Sequence, residues 1–305
     1  MTQTPTRPAL AGSMTALVTP FRNGEVDWAA LSLLVERQIA GGADWLAPCG
    51  TTGEAPTLTD GERDQIIESV VAAAEGRCGV MAGTGSNCTA KTVQATKAAA
   101  SRGVHAALVV TPYYNRPTQE GLFRHFAAVA EAVDIPIVLY NVPVRTGVNL
   151  SNDTVVRLRE RFPHVAGLKD ASGAVDGVTD LVQRCDIAVL CGDDALTWPM
   201  MAVGAVGVIS VLSNLQPELM KRLVTSAREG DIPASVSYHR RVFAAAGALG
   251  RFGPNPIPVK TAMAVAGLIA EEFRLPLCPM EGEARRNLER LLRRHEMISG
   301  GAIVS

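Results

Sequence analysis

The chain has 305 residues, 47% of them hydrophobic and 19% charged, with a formal net charge of −1 and a pI of about 6.5. Those proportions support a large buried core and exclude a disordered chain. They also argue against a basic footprint for nucleic acid: the one concentrated basic run, Arg285 to Arg294, is interleaved with Leu288, Leu291 and Leu292 and reads as the wet face of a terminal helix.

The N-terminal stretch MTQTPTRPALAGS has no apolar segment of signal-peptide length, and no uninterrupted apolar run approaches a membrane span. The six cysteines, Cys49, Cys78, Cys88, Cys185, Cys191 and Cys278, form no CxxC pair, which favours reduced thiols and a cytoplasmic location. Eight short apolar runs follow one another: Met14 to Pro20, Ala43 to Gly50, Cys78 to Gly85, His105 to Tyr114, Ile135 to Pro143, Val165 to Ser172, Ile187 to Asp194 and Ala205 to Val211. Between them lie segments of helical period with Asp27, Thr59, Thr89, Thr118 and Ser151 as N-caps, Glu62 completing a capping box with Thr59. From about Gln216 onward the pattern is helical apart from the break RFGPNPIPVK. The fold class this predicts is α/β: a (β/α)8 TIM barrel over residues 1–230 with a C-terminal α-helical extension over 231–305. A doubly wound sheet lacks support, because GTGSNC from Gly83 misses the last glycine of GxGxxG.

In such barrels chemistry gathers where the strands end. The polar residues there are Thr51, Thr52, Asn87, Tyr113, Tyr114, Tyr140, Asn141, Arg145, Lys169, Asp170, Asp193 and Asp194. Lys169, one of only five lysines, closes the apolar run VAGLKDASG, where an ammonium must be solvated, paired or chemically employed. Desolvated, it would be an amine able to condense with a ketone; the plainer alternative is an ion pair with Asp170 or another rim carboxylate. Forming a Schiff base moves protons on and off a carbinolamine oxygen, and three of the four tyrosines fall at strand ends, Tyr140 and Tyr114 being the relay candidates. A half-buried ring with a satisfied hydroxyl is the competing reading. The loop CGTTGE offers two hydroxyls and successive N–H groups to a carboxylate, or is simply a threonine-capped turn. Arg145 can fork onto a second carboxylate, or make a loop salt bridge. The five histidines lack metal-ligand spacing, so no metal or cofactor is called for.

LVTPF, GTTGE, AGTGSN, VTPYYNRPTQEGL, YNVPVRTG, GLKDASG, CGDD, GVISV, NPIPVK and FRLPL occur in that order from Leu17 to Leu277. Through them the chain resembles the dihydrodipicolinate (4-hydroxy-tetrahydrodipicolinate) synthase family of the pyruvate-dependent lyase superfamily, which also contains N-acetylneuraminate lyase. The resemblance implies condensation of pyruvate with L-aspartate 4-semialdehyde on the route to diaminopimelate and lysine. It implies Lys169 as the Schiff-base lysine and Tyr140 as proton donor and acceptor. Thr51 and Tyr114 would complete the relay, Tyr114 reaching in from a neighbouring subunit of a homotetramer built as a dimer of tight dimers. Thr52, Ile209 and Gly192 would hold pyruvate, and Arg145 would take the semialdehyde carboxylate. The double tyrosine and VRTG resemble the synthase rather than the sialic acid lyase or sugar-acid aldolases. A 2-oxo sugar acid aldolase or dehydratase, and a catalytically silent oxo-acid-binding paralogue, are the alternatives. Lysine-inhibited members line a site near the dimer contact; the corresponding positions here are Ala55, Pro56, Asp60, Arg63 and Lys91, beside Asn87 and Tyr113. Arg63 and Lys91 would repel an incoming ammonium, so weak or absent inhibition by lysine is expected.

Overall fold

The computed structural model describes residues 8–294, 297–299 and 302–303. The first seven residues of the stretch read for a leader, and His295, lie outside them.

Eight parallel strands close into a barrel: β1 (Gly12–Ala16), β2 (Trp45–Ala47), β3 (Gly79–Gly83), β4 (Ala106–Val110), β5 (Ile137–Asn141), β6 (Val165–Asp170), β7 (Ala188–Cys191) and β8 (Gly207–Ser210). Each strand pairs with its chain neighbours, and β8 returns to β1 in the register Met14↔Ile209. All lie within the expected apolar runs except β1, which begins at Gly12, two residues early. Its pairing with β8 reaches Gly12↔Gly207, where the two glycines let the backbones approach without a side chain between them. A two-stranded hairpin, Phe21–Arg22 with Glu25–Val26, and the Ile298–Ser299 and Ala302–Ile303 pair had no signal in the sequence because strands of two residues carry no periodicity.

Residues alternate across the strands. One face packs on the helices, with Leu46, Val80, Leu139 and Val189 in the large outer core; the other fills the barrel with Met14, Trp45, Met81, Leu108, Val138 and Ile209. The main helices of the barrel are α1 (Trp28–Ala40), α2 (Asp60–Ala74), α3 (Thr89–Ser101), α4 (Gln119–Ala130), α5 (Asn152–Arg161), α6 (Val175–Arg184), α7 (Thr197–Ala202) and α8 (Pro217–Glu229), with a one-turn helix, Pro143–Thr146, after β5. Asp27, Thr59, Thr118 and Ser151 cap α1, α2, α4 and α5 with their side chains, and the Thr59–Glu62 capping box is present. Thr89 is a correction. Cys88 is the N-cap of α3, without a side-chain bond, and the Thr89 hydroxyl, one residue inside the helix, faces His125 Nδ1 at 2.9 Å.

Three more helices follow, α9 (Ile232–Gly250), α10 (Ile257–Val265) and α11 (Gly282–Arg294). The proline-rich break is shorter than expected, because α10 starts at Ile257 and accepts Pro258 in its first turn, where the missing N–H costs nothing. α11 buries Leu288 and Leu292 and turns its arginines outward, as its spacing predicts. No helix among the described residues is long and apolar enough to cross a membrane.

One irregularity decides which way Lys169 points. Along β5 and β6, Ile137 pairs with Val165, but Val138 pairs with Gly167, so Ala166 is skipped. Without that bulge, alternation from outward Val165 would turn Leu168 into the barrel and Lys169 out. With it, Leu168 joins the outer core and Lys169 sits beside inward-facing Tyr140, its register partner.

Candidate active site

Lys169 is 6% exposed and Tyr140 7%, and the Lys169 Nζ lies 4.2 Å from the centroid of the Tyr140 ring. Among the described residues Lys169 makes no hydrogen bond and no ion pair. The Asp170 carboxylate, the alternative partner, is taken up elsewhere: Oδ1 accepts from Ser172 N at 2.9 Å and Oδ2 from Ser172 Oγ at 3.0 Å. A lysine held inside the barrel without a counter-carboxylate is not half of a structural ion pair, and its nitrogen is left unengaged among the described residues.

The β2–α2 loop is held open by strain at both ends. Cys49 and Glu54 have positive φ values of 58° and 54°, which residues bearing a side chain adopt at a cost. Across from it Gly83 must lack a side chain, since a Cβ there would stand 2.2 Å from the Cys49 carbonyl oxygen. The N–H groups of Gly53, Glu54 and Ala55 turn back onto the Gly50 and Thr51 carbonyls, while those of Thr51 and Thr52 have no protein partner among the described residues. Two free N–H groups beside two hydroxyls suit a carboxylate.

Glu54 is what fixes that loop. Its carboxylate is fully buried against Lys260 Nζ at 2.5 Å, and its other oxygen accepts from Arg274 N at 3.2 Å. The Lys260 ammonium lies 4.5 Å from the Phe21 ring centroid and 4.8 Å from that of Phe273. Burial pushes it below the usual lysine range, and Glu54 opposes that shift. Sequence reasoning missed this pair, because Lys260 stands 206 residues from its partner.

A cavity of about 430 Å³ opens at the rim, walled by Thr51, Tyr140, Arg145, Tyr113, Arg63 and Lys91. Arg145 makes no salt bridge among the described residues; its Nη2 donates to the Asn255 carbonyl at 2.9 Å. Arg63 is partly neutralised by Asp60 at 2.9 Å, whereas Lys91 has no partner among the described residues. A second cavity of about 210 Å³ is walled by Gly192, Asp193, Asp194 and Asn255.

The sequence pattern of the dihydrodipicolinate synthetase family matches residues 9–295. The chain belongs to that family. It is 47% identical to the 4-hydroxy-tetrahydrodipicolinate synthase of Pelobacter propionicus, over 94% of this chain and 99% of that one. Among solved structures it resembles the chloride inhibited dihydrodipicolinate synthase from Acinetobacter baumannii complexed with pyruvate. That similarity has a TM-score of 0.92 and 43% identity over 95% of this chain and all of the other. The dihydrodipicolinate synthase from Cyanidioschyzon merolae with lysine bound matches with a TM-score of 0.91 and 36% identity, over 94% of this chain and 99% of that one.

The family's barrel brings together some of the candidate residues and separates others. Thr51, Tyr140 and Arg145 share the larger cavity; Thr52 and Ile209 are buried at 3% and 1% exposure; Gly192 faces the smaller cavity. Tyr114 does not join them within one chain, being 90% exposed on a backbone with φ of 72°. Asn141, Asp193 and Asp194 are structural: Asn141 binds Asn149 and Leu150 N, Asp193 caps Ala195 N, and Asp194 accepts from the backbone of Val211 and Leu212. The Asn87 carbonyl accepts from Asn115 Nδ2 and braces the loop that carries Tyr114.

Proposed function

We propose that the chain condenses pyruvate with L-aspartate 4-semialdehyde to 4-hydroxy-tetrahydrodipicolinate through a Schiff base on Lys169. The observation that carries this reading is the uncompensated Lys169 amine against Tyr140 inside the barrel. The amine attacks the pyruvate ketone, the carbinolamine loses water, and a C3 proton leaves to give an enamine. That carbon attacks the semialdehyde carbonyl. The amino group of the incoming substrate then displaces Lys169 and closes the ring.

Each proton transfer needs a hydroxyl close to the nitrogen. Tyr140 takes that role, with Thr51 beside it and Tyr114 supplied by a second copy of the chain. Exposure of Tyr114 on a braced, strained loop supports that loan, and with it a homotetramer built from tight dimers. Thr52, Ile209 and Gly192 hold pyruvate, and Arg145 binds the semialdehyde carboxylate at the mouth. The division at residue 230 into catalytic barrel and helical extension belongs to the same reading. So does a cytoplasmic setting: all six cysteines are free, and burial pushes the Cys49 thiol up to about 12 and raises that of Cys191.

Purified protein is expected to consume the semialdehyde only when pyruvate is present, and to leave 2-oxo sugar acids uncleaved. Cleavage of a sugar acid without semialdehyde consumption would favour an aldolase instead. L-Lysine at millimolar concentration is expected to leave the rate unchanged, because Lys91 faces the cavity with no ion-pair partner among the described residues, near where a ligand ammonium would sit. A sub-millimolar inhibition constant would contradict this.

A further inference from the structure

Asn255 sits where the helical extension meets the barrel rim and makes two polar contacts at once. Its Nδ2 donates to Thr52 Oγ1 at 2.9 Å, and its backbone carbonyl accepts from Arg145 Nη2 at 2.9 Å. It also walls the smaller cavity beside Gly192. We infer that Asn255 is a positioning residue for pyruvate, which by donating to Thr52 turns that hydroxyl into a donor toward the substrate carboxylate. The inference rests on the placement of pyruvate at Thr52 argued above.

A threonine hydroxyl has one proton to give and two lone pairs, whereas a carboxylate only accepts. Thr52 is 3% exposed, so bulk water does not set the direction of its proton. With one lone pair occupied by the Asn255 amide, the proton is kept for another acceptor. The amide works through this donor alone, since Asn255 Oδ1 is buried with no hydrogen-bond partner among the described residues. Aspartate at this position would be an acceptor and would draw the Thr52 proton to itself, away from substrate. The bond to Arg145 runs through the main chain and survives any side-chain change, so the effect falls on pyruvate and spares the semialdehyde.

Steady-state kinetics of Asn255→Asp, Asn255→Ala, Thr52→Val and the Thr52→Val/Asn255→Ala double variant test this. Asn255 is only half-buried and its main-chain bonds are untouched, so the variants keep the fold. Asn255→Asp is expected to raise KM for pyruvate about tenfold, the scale of one hydrogen bond to a charged group, while KM for the semialdehyde stays within about twofold. Asn255→Ala gives a smaller rise. The double variant matches Thr52→Val alone, because both substitutions act on one bond. An unchanged pyruvate KM in Asn255→Asp, an equal rise in both KM values, or additive effects in the double variant overturns the inference. An unchanged pyruvate KM in Thr52→Val overturns instead the placement of pyruvate at that threonine.

Discussion

Replacing Lys169 with alanine is expected to lower kcat by about 10⁴-fold or more, the scale of losing a covalent nucleophile, with no loss of thermal stability. Both halves follow from the same geometry. The amine makes no hydrogen bond or ion pair among the described residues, so its removal strands no partner. Truncating a buried side chain whose nitrogen has no hydrogen-bonding or ionic partner leaves no orphaned polar group behind. Lys169→Arg is expected to be as inactive, since a guanidinium does not deprotonate to attack a ketone. A melting temperature lowered by many degrees, or activity within about tenfold of the parent, would mean that the lysine holds the barrel together instead of forming a bond to substrate.

Lys260→Met is expected to cost about 3–5 kcal/mol, the usual penalty for breaking a buried pair from one side, and to lower Tm by on the order of 10 °C. The substitution leaves the Glu54 carboxylate in a site with no exposure and, among the described residues, only the Arg274 N–H as a donor. Two aromatic rings that now face the ammonium would face a thioether instead. Adding Glu54→Gln to Lys260→Met is expected to recover most of the loss, because the stranded charge is gone. Thermal melts of the three proteins measure it. The single variant is also expected to lose activity, since Glu54 anchors the strained turn that carries Thr51 and Thr52. Equal stability for the single and double variants would show that the ion pair is incidental.

The barrel was legible because a parallel strand buried on both faces leaves a short apolar run, and most runs here are closed by a strand-breaking Gly, Pro, Ser or Asp. Lys169 was legible because a cation at the end of such a run is costly unless used, and Tyr140 because tyrosines are scarce here and gather at strand ends. The direction Lys169 faces was not legible. That depends on Ala166 being skipped between two strands, and a bulge of one residue leaves no mark in a pattern of period two. Long-range contacts were equally hidden. Lys260 looked like a lysine after a proline turn, and Asn255 like part of that turn, because their partners Glu54, Thr52 and Arg145 are brought near only once the chain has closed. The cap at Cys88 escaped because Thr89 is the better capping residue by type, yet its hydroxyl is engaged with His125 across to α4.

Reduction with borohydride in the presence of pyruvate, followed by peptide mass mapping, tests the central claim most directly. A reduced pyruvyl adduct confined to the peptide containing Lys169, absent without pyruvate and absent in Lys169→Ala, is the expected result. An adduct on Lys91, Lys97, Lys221 or Lys260, or no adduct in a protein that still turns over, would contradict it.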